Sequence, residues 1–119
     1  QADFEDNVVT TDKNRYERST ALIYKHKELA IGPVSIAWSY EAIRITNNMS
    51  KEEFPNTIDI PVLLLNATKD KLVNPSINKE ICQKMKNSTI LDIASEHEIL
   101  MEKDAFRDQA LKAIEQFIN

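Results

Sequence analysis

The sequence predicts an α/β protein, with a helical first half followed by a minimal parallel strand-helix-strand-helix (βαβα) unit. Three observations predict it. Apolar residues recur at loose helical spacing over about 12–29 and 34–47. A continuous apolar run, Ile60-Pro61-Val62-Leu63-Leu64-Leu65, then appears, of the kind found in strands buried on both faces. A second strand-like stretch over residues 88–94 comes one helix later, and strands joined by such a crossover run parallel.

Residues 1–10 show no periodicity and are expected to be an extended lead-in. Thr10 or Thr11 is placed as the cap of a helix over about 12–29, carrying Tyr16, Ala21, Leu22, Tyr24, Leu29 and Ala30, and Gly32-Pro33 should stop it. A second helix is expected over about 34–47, with Ile36, Trp38, Tyr40, Ile43 and Ile45 as an aromatic-rich apolar surface. Ser50-Lys51-Glu52-Glu53 matches a capping box, but Pro55 limits the helix it would start to about a turn. The boundary between a cap-like segment, 1–50, and a C-terminal βαβα part, 51–119, is drawn here. After the strand at 60–65, Asn74-Pro75 is a helix start, since Asn accepts at the N-cap and Pro fits the first helical position. Ile77, Ile81 and Met85 carry that helix over about 75–86. A loop over 95–98 and a final helix over about 104–118 complete the chain.

Composition narrows the function classes. Apolar residues make up 42% and charged residues 29%, an ordinary globular balance, with no apolar run long enough to span a bilayer. The net charge is −4 and no basic stripe forms, which argues against nucleic acid as a partner. A lone cysteine, Cys82, forms neither a disulfide nor a cysteine metal site and reads as core packing. His26 reads as a surface residue midway along a helix, and two distant histidines make a poor zinc site, so no metal and no cofactor is expected. Glycine occurs once, at Gly32, which excludes every glycine-rich phosphate loop and any Gly-x-Ser-x-Gly elbow. No signal segment opens the chain, so a cytoplasmic location is expected, with peripheral membrane contact left open. The chain begins with Gln1 and not methionine, and an upstream segment is expected.

One constellation carries chemistry. Parallel strands end on the same edge of a sheet, so the loops after residues 65 and 94 should emerge side by side. Asp70 lies in the first and His97 in the second. A carboxylate beside an imidazole at parallel strand ends would orient the ring and leave its other nitrogen as a general base. Each has a plainer reading, Asp70 as a turn former and His97 as a surface loop residue. Glu96 and Glu98 read as solvated or salt-bridged neighbours.

These residues resemble a family. PVLLLNATKDKLVNP looks like the acid-bearing strand and loop of α/β-hydrolases. SEHEILMEKDAFRDQALKAIEQFI resembles the histidine loop and final helix of their lysophospholipase and monoacylglycerol-lipase relatives. RYERSTALIYKHKELAIGPVSIAWSYEAI resembles the cap of lysophospholipase-like members. The resemblance implies an incomplete α/β-hydrolase with Asp70 as triad acid and His97 as general base, in the chain order Ser, Asp, His. It implies a lipid-like ester as substrate, and Ile36, Trp38, Tyr40 and Ile43 as cap residues roofing an acyl pocket; the same residues also read as ordinary core. None of the seven serines sits in a glycine-flanked elbow, so the nucleophile is expected outside these 119 residues, leaving the chain inactive by itself. The alternative is a non-catalytic binding or assembly module. Two strands leave an unpaired edge, from which self-association by strand pairing or element exchange is expected.

Overall fold

The computed structural model describes residues 3–51 and 53–119. The order of regular elements is α1 (Lys13–Lys25), α2 (Ile36–Met49), α3 (Glu53–Asn56), β1 (Val62–Ala67), α4 (Pro75–Gln83), β2 (Ser88–Ile93) and α5 (Asp104–Ile118). Short 3-10 turns lie at Phe4–Asp6, Lys27–Leu29 and Ile99–Met101. The α/β class and the partial α/β-hydrolase architecture expected from sequence are present: β1 and β2 form a two-stranded parallel sheet, in register from Val62 opposite Ser88 to Ala67 opposite Ile93.

Side chains alternate across a strand, so Leu63 and Asn66 face opposite ways. The Asn66 face meets α4, where Lys79 pairs with Asp92. The Leu63 face meets α5, and a cavity of ≈ 480 Å³ remains there between Leu63, Leu91, Ala113 and Phe117. β1 is only half-buried over Val62–Leu65, less than its unbroken apolar run suggests. It runs on through the polar Asn66, whose side-chain amide donates to Asp92 at 2.8 Å. That cross-strand bond makes a polar residue tolerable inside the strand.

Other boundaries shift for identifiable reasons. Thr10 and Thr11 do not cap α1; Asp12 does, its carboxylate accepting from the Arg15 N–H at 3.0 Å. The two threonine hydroxyls are committed elsewhere, to the Met101 carbonyl and the Glu102 carboxyl. α1 ends at Lys25, and His26 is its C-cap, not a mid-helix residue. Leu22, Tyr24 and Leu29 are exposed, so no packing rewards extending the helix to 29. Residues 1 and 2 of the expected lead-in lie outside the described residues; the rest includes one 3-10 turn rather than being wholly extended. Ser35 caps α2 by accepting from the Trp38 N–H. At α4 the expected start is found, with Asn74 accepting from the Ser76 and Ile77 N–H groups. The helix stops at Gln83, so Met85 lies beyond it.

The core is small: Ile93 and Ala110 are fully buried, joined by Cys82, Ala67 and Tyr16. Cys82 is thus a packing residue, as expected. The chain exposes 8706 Å², against roughly 6,600 Å² for a compact chain of its mass. α2 contributes to this exposure: Ile36 is 90% exposed and Trp38 61%, with Tyr40 and Ile43 similar. These four therefore do not form a core within this chain, because α2 packs chiefly on the short α3 and not on the sheet. No helix among the described residues is long and apolar enough to cross a membrane.

Candidate active site

Three backbone hydrogen bonds fix where Asp70 sits. Beyond the end of β1, the Thr68 N–H donates to the Ile93 carbonyl at 2.8 Å and the Lys69 N–H to the Ser95 carbonyl at 3.1 Å. The Asp70 N–H then turns back onto the Ala67 carbonyl at 3.2 Å. The acid loop is thereby stitched to the start of the histidine loop before either functional side chain is considered.

The Asp70 carboxylate divides its work between its oxygens. Oδ1 accepts from the Leu72 and Val73 N–H groups at 2.7 and 3.1 Å, holding its own loop. Oδ2 faces His97 Nδ1 at 2.6 Å. The Asp70 side chain is 5% exposed and that of His97 33%. Burial pushes the Asp70 carboxyl up, but the His97 bond and the two backbone donors together outweigh it. The net effect holds it below the ordinary aspartate range. An ionised carboxylate only accepts, so Nδ1 carries the hydrogen and Nε2 of the neutral ring keeps its lone pair. Nε2 has no hydrogen-bonding partner among the described residues. A ring oriented on one nitrogen and free on the other can remove a proton from a group brought to it.

The neighbours of His97 are themselves held. Glu96 Oε1 accepts from Lys71 Nζ at 3.2 Å, a second bridge between the two loops beside the Asp70–His97 pair. Glu98 is exposed, and neither glutamate hydrogen-bonds the ring. The Glu98 N–H donates to the Val9 carbonyl at 2.8 Å, and the Thr10 hydroxyl to the Met101 carbonyl at 2.8 Å. Residues 9–11, which precede α1, are therefore part of the histidine loop's support.

Sequence reading missed this support. Thr10 and Thr11 were read only as candidate caps of α1, and Glu102 and Arg15 were given no role, although a glutamate after the apolar Ile99-Leu100-Met101 was an available signal. Arg15 donates to the Glu102 carbonyl and to Asp104. The Asp104 bond and charge raise the Arg15 guanidinium pKa against the lowering effect of burial, and Arg15 in turn lowers the Asp104 carboxyl. The candidate acyl-pocket residues Ile36, Trp38, Tyr40 and Ile43 lie on the exposed α2 and are not brought to the Asp70–His97 pair by packing of this chain. Among the described residues, no three or more His, Cys, Asp or Glu side chains form a metal-holding group. His26, exposed, pairs with Glu28.

The family model described as "Serine aminopeptidase, S33", of the hydrolase class, matches residues 4–104. A "Probable lysophospholipase L2" from Haemophilus influenzae is 28% identical over 120 residues, covering 100% of this chain and 38% of that protein. "Lysophospholipase L2" from Escherichia coli K12 is 28% identical over 121 residues, covering 95% of this chain and 35% of that protein. The chain thus spans little more than a third of the length of the curated relatives it matches.

Proposed function

The chain belongs to the serine aminopeptidase S33 family of α/β-hydrolases, and on that premise we propose that it supplies the acid and the base of a Ser-Asp-His ester hydrolase. Asp70 is the orienting acid and His97 the general base. The serine and the donors that stabilise the tetrahedral oxyanion belong to sequence outside these 119 residues. The substrate class is a lysophospholipid-like carboxylic ester, as the names of those relatives suggest.

The observation that carries this reading is the 2.6 Å contact between Asp70 Oδ2 and His97 Nδ1 at the carboxyl ends of adjacent parallel strands. In the mechanism, serine Oγ passes its proton to His97 Nε2 as it attacks the ester carbonyl. Asp70 stabilises the resulting imidazolium, and the same proton is then given to the departing alcohol. Water repeats the sequence on the acyl-enzyme. Without nucleophile and oxyanion donors the pair has nothing to act through, so the chain by itself is inactive. The exposed α2, with Ile36, Trp38, Tyr40 and Ile43, is assigned to the cap over the acyl chain, where each buried methylene contributes about 0.8 kcal/mol.

The test is fluorophosphonate labelling and lysophospholipid hydrolysis by the complete protein that carries this chain. Both should be lost on His97→Ala, and full labelling and turnover in that variant would overturn the proposal. A second reading, a non-catalytic assembly module, is favoured by the exposed apolar face of α2 and the unpaired edge of β1. Stoichiometric ester turnover by the complete protein excludes it.

A further inference from the structure

We infer that Glu102 is a positioning residue for His97, an inference that rests on the reading of His97 as general base. Glu102 is fully buried. Its Oε1 accepts from the Glu96 N–H and the Thr11 N–H, each at 3.1 Å. Its Oε2 accepts from the Thr11 hydroxyl at 2.5 Å and from the Lys103 N–H at 3.3 Å. The Glu102 carbonyl is held in turn by Arg15.

The two N–H groups that flank His97 in sequence are therefore both tied to residues 9–11. That of Glu98 reaches the Val9 carbonyl directly. That of Glu96 reaches Thr11 through the Glu102 carboxylate. The pairing of the two strands ends at Ala67 and Ile93, and beyond it backbone bonds hold Ser95, through the Lys69 N–H, and Glu98, through the Val9 carbonyl. The Glu96 N–H, immediately before His97, is held by a side-chain acceptor.

The choice of a carboxylate follows from the donors. Four converge where solvent does not reach, and an acceptor-only group with about four lone-pair sites satisfies them. A buried charge is costly unless it is hydrogen-bonded, and here four donors satisfy it; an apolar side chain of similar volume would leave all four unpaired. What an apolar side chain cannot do is anchor the Glu96 N–H. The Asp70 bond fixes the direction of the imidazole ring, whereas Glu102 fixes the backbone from which the ring projects. Together they determine where Nε2 stands relative to an incoming proton donor.

The test uses the complete hydrolase that carries this chain, a lysophospholipid ester as substrate, and a fluorophosphonate to titrate active serines. Glu102→Leu removes every side-chain acceptor, and Glu102→Gln keeps the shape and one acceptor oxygen. Misplacement of a reacting group by about 1 Å lowers rates by about 10²-fold. On that scale, kcat per titrated site should fall about 10- to 100-fold in Glu102→Leu with KM little changed, and Glu102→Gln should recover part of it. Purely structural support would instead reduce the number of titratable sites and leave kcat per site unaltered, which overturns the proposal. If Glu102→Leu does not fold, Glu102→Gln decides alone: kcat per site equal to that of the parent overturns it. His97→Ala, run alongside, separates the two readings. Full turnover in that variant overturns both, whereas its inactivity with unaltered kcat per site in the Glu102 variants overturns only the role of Glu102.

Discussion

Asp70 and His97 stand 27 positions apart in the chain and 2.6 Å apart in space, with the aspartate buried and the imidazole one-third exposed. That asymmetry suits an orienting acid and a base that must meet another group. Its consequences can be measured.

Replacing Asp70 with Asn keeps the shape but offers Nδ1 an amide, which lets the ring adopt the wrong tautomer. In the complete protein, kcat for ester hydrolysis should drop on the order of 10³- to 10⁴-fold, as acid-to-amide changes do in serine triads. Steady-state kinetics with a lysophospholipid ester measure this, and a loss below about tenfold would remove Asp70 from the mechanism.

Acid stability gives a second test. The folded-state pKa of Asp70 lies below its unfolded value, which is about 3.9. The unfolded chain then binds more protons between the two values, so stability rises with pH across that window. The contribution is present above the unfolded value and is lost as pH falls through the folded one. Urea midpoints taken from about pH 6 down to about pH 2.5 should fall less steeply for Asp70→Asn than for the parent. Parallel curves would contradict the shift.

Core and surface should respond oppositely in the 119-residue chain. Ile93 is fully buried at the end of β2, and Ile93→Ala should cost about 2–5 kcal/mol by denaturant titration. Trp38 is mostly exposed, and Trp38→Ala should change stability by less than about 0.5 kcal/mol. A large Trp38 effect would mean that α2 is packed in solution.

The cap of α1 can be checked by itself. Asp12→Ala removes the acceptor for the Arg15 N–H and should cost about 1 kcal/mol. The measurement is the shift in thermal midpoint, and no shift would mean that another residue caps the helix.

Self-association is expected of the 119-residue chain, because β1 keeps an unpaired edge. Sedimentation at tens of micromolar should show species heavier than 13.7 kDa. A strictly monomeric boundary would count against it.

Local signals were legible wherever a short stretch of chain carries its own instruction. Asn74-Pro75 starts α4 because Asn accepts N–H groups and Pro needs no donor, whatever surrounds them. The apolar run at Val62–Leu65 and the βαβ spacing determined a parallel pair, and with it the meeting of the loops that hold Asp70 and His97. Periodicity failed where packing was the missing term: the loosely apolar pattern of α1 extends past Lys25, but Leu29 finds nothing to cover it.

The tertiary structure alone decided the rest. That Thr10 and Thr11 serve the histidine loop and not the start of α1, and that Glu102 is buried beneath it, depends on partners some 90 positions away. It also decided that the aromatic face of α2 is exposed and not core. Helix spacing identifies an apolar face but not what covers it, since burial is a property of the assembled surfaces and not of the segment that bears it.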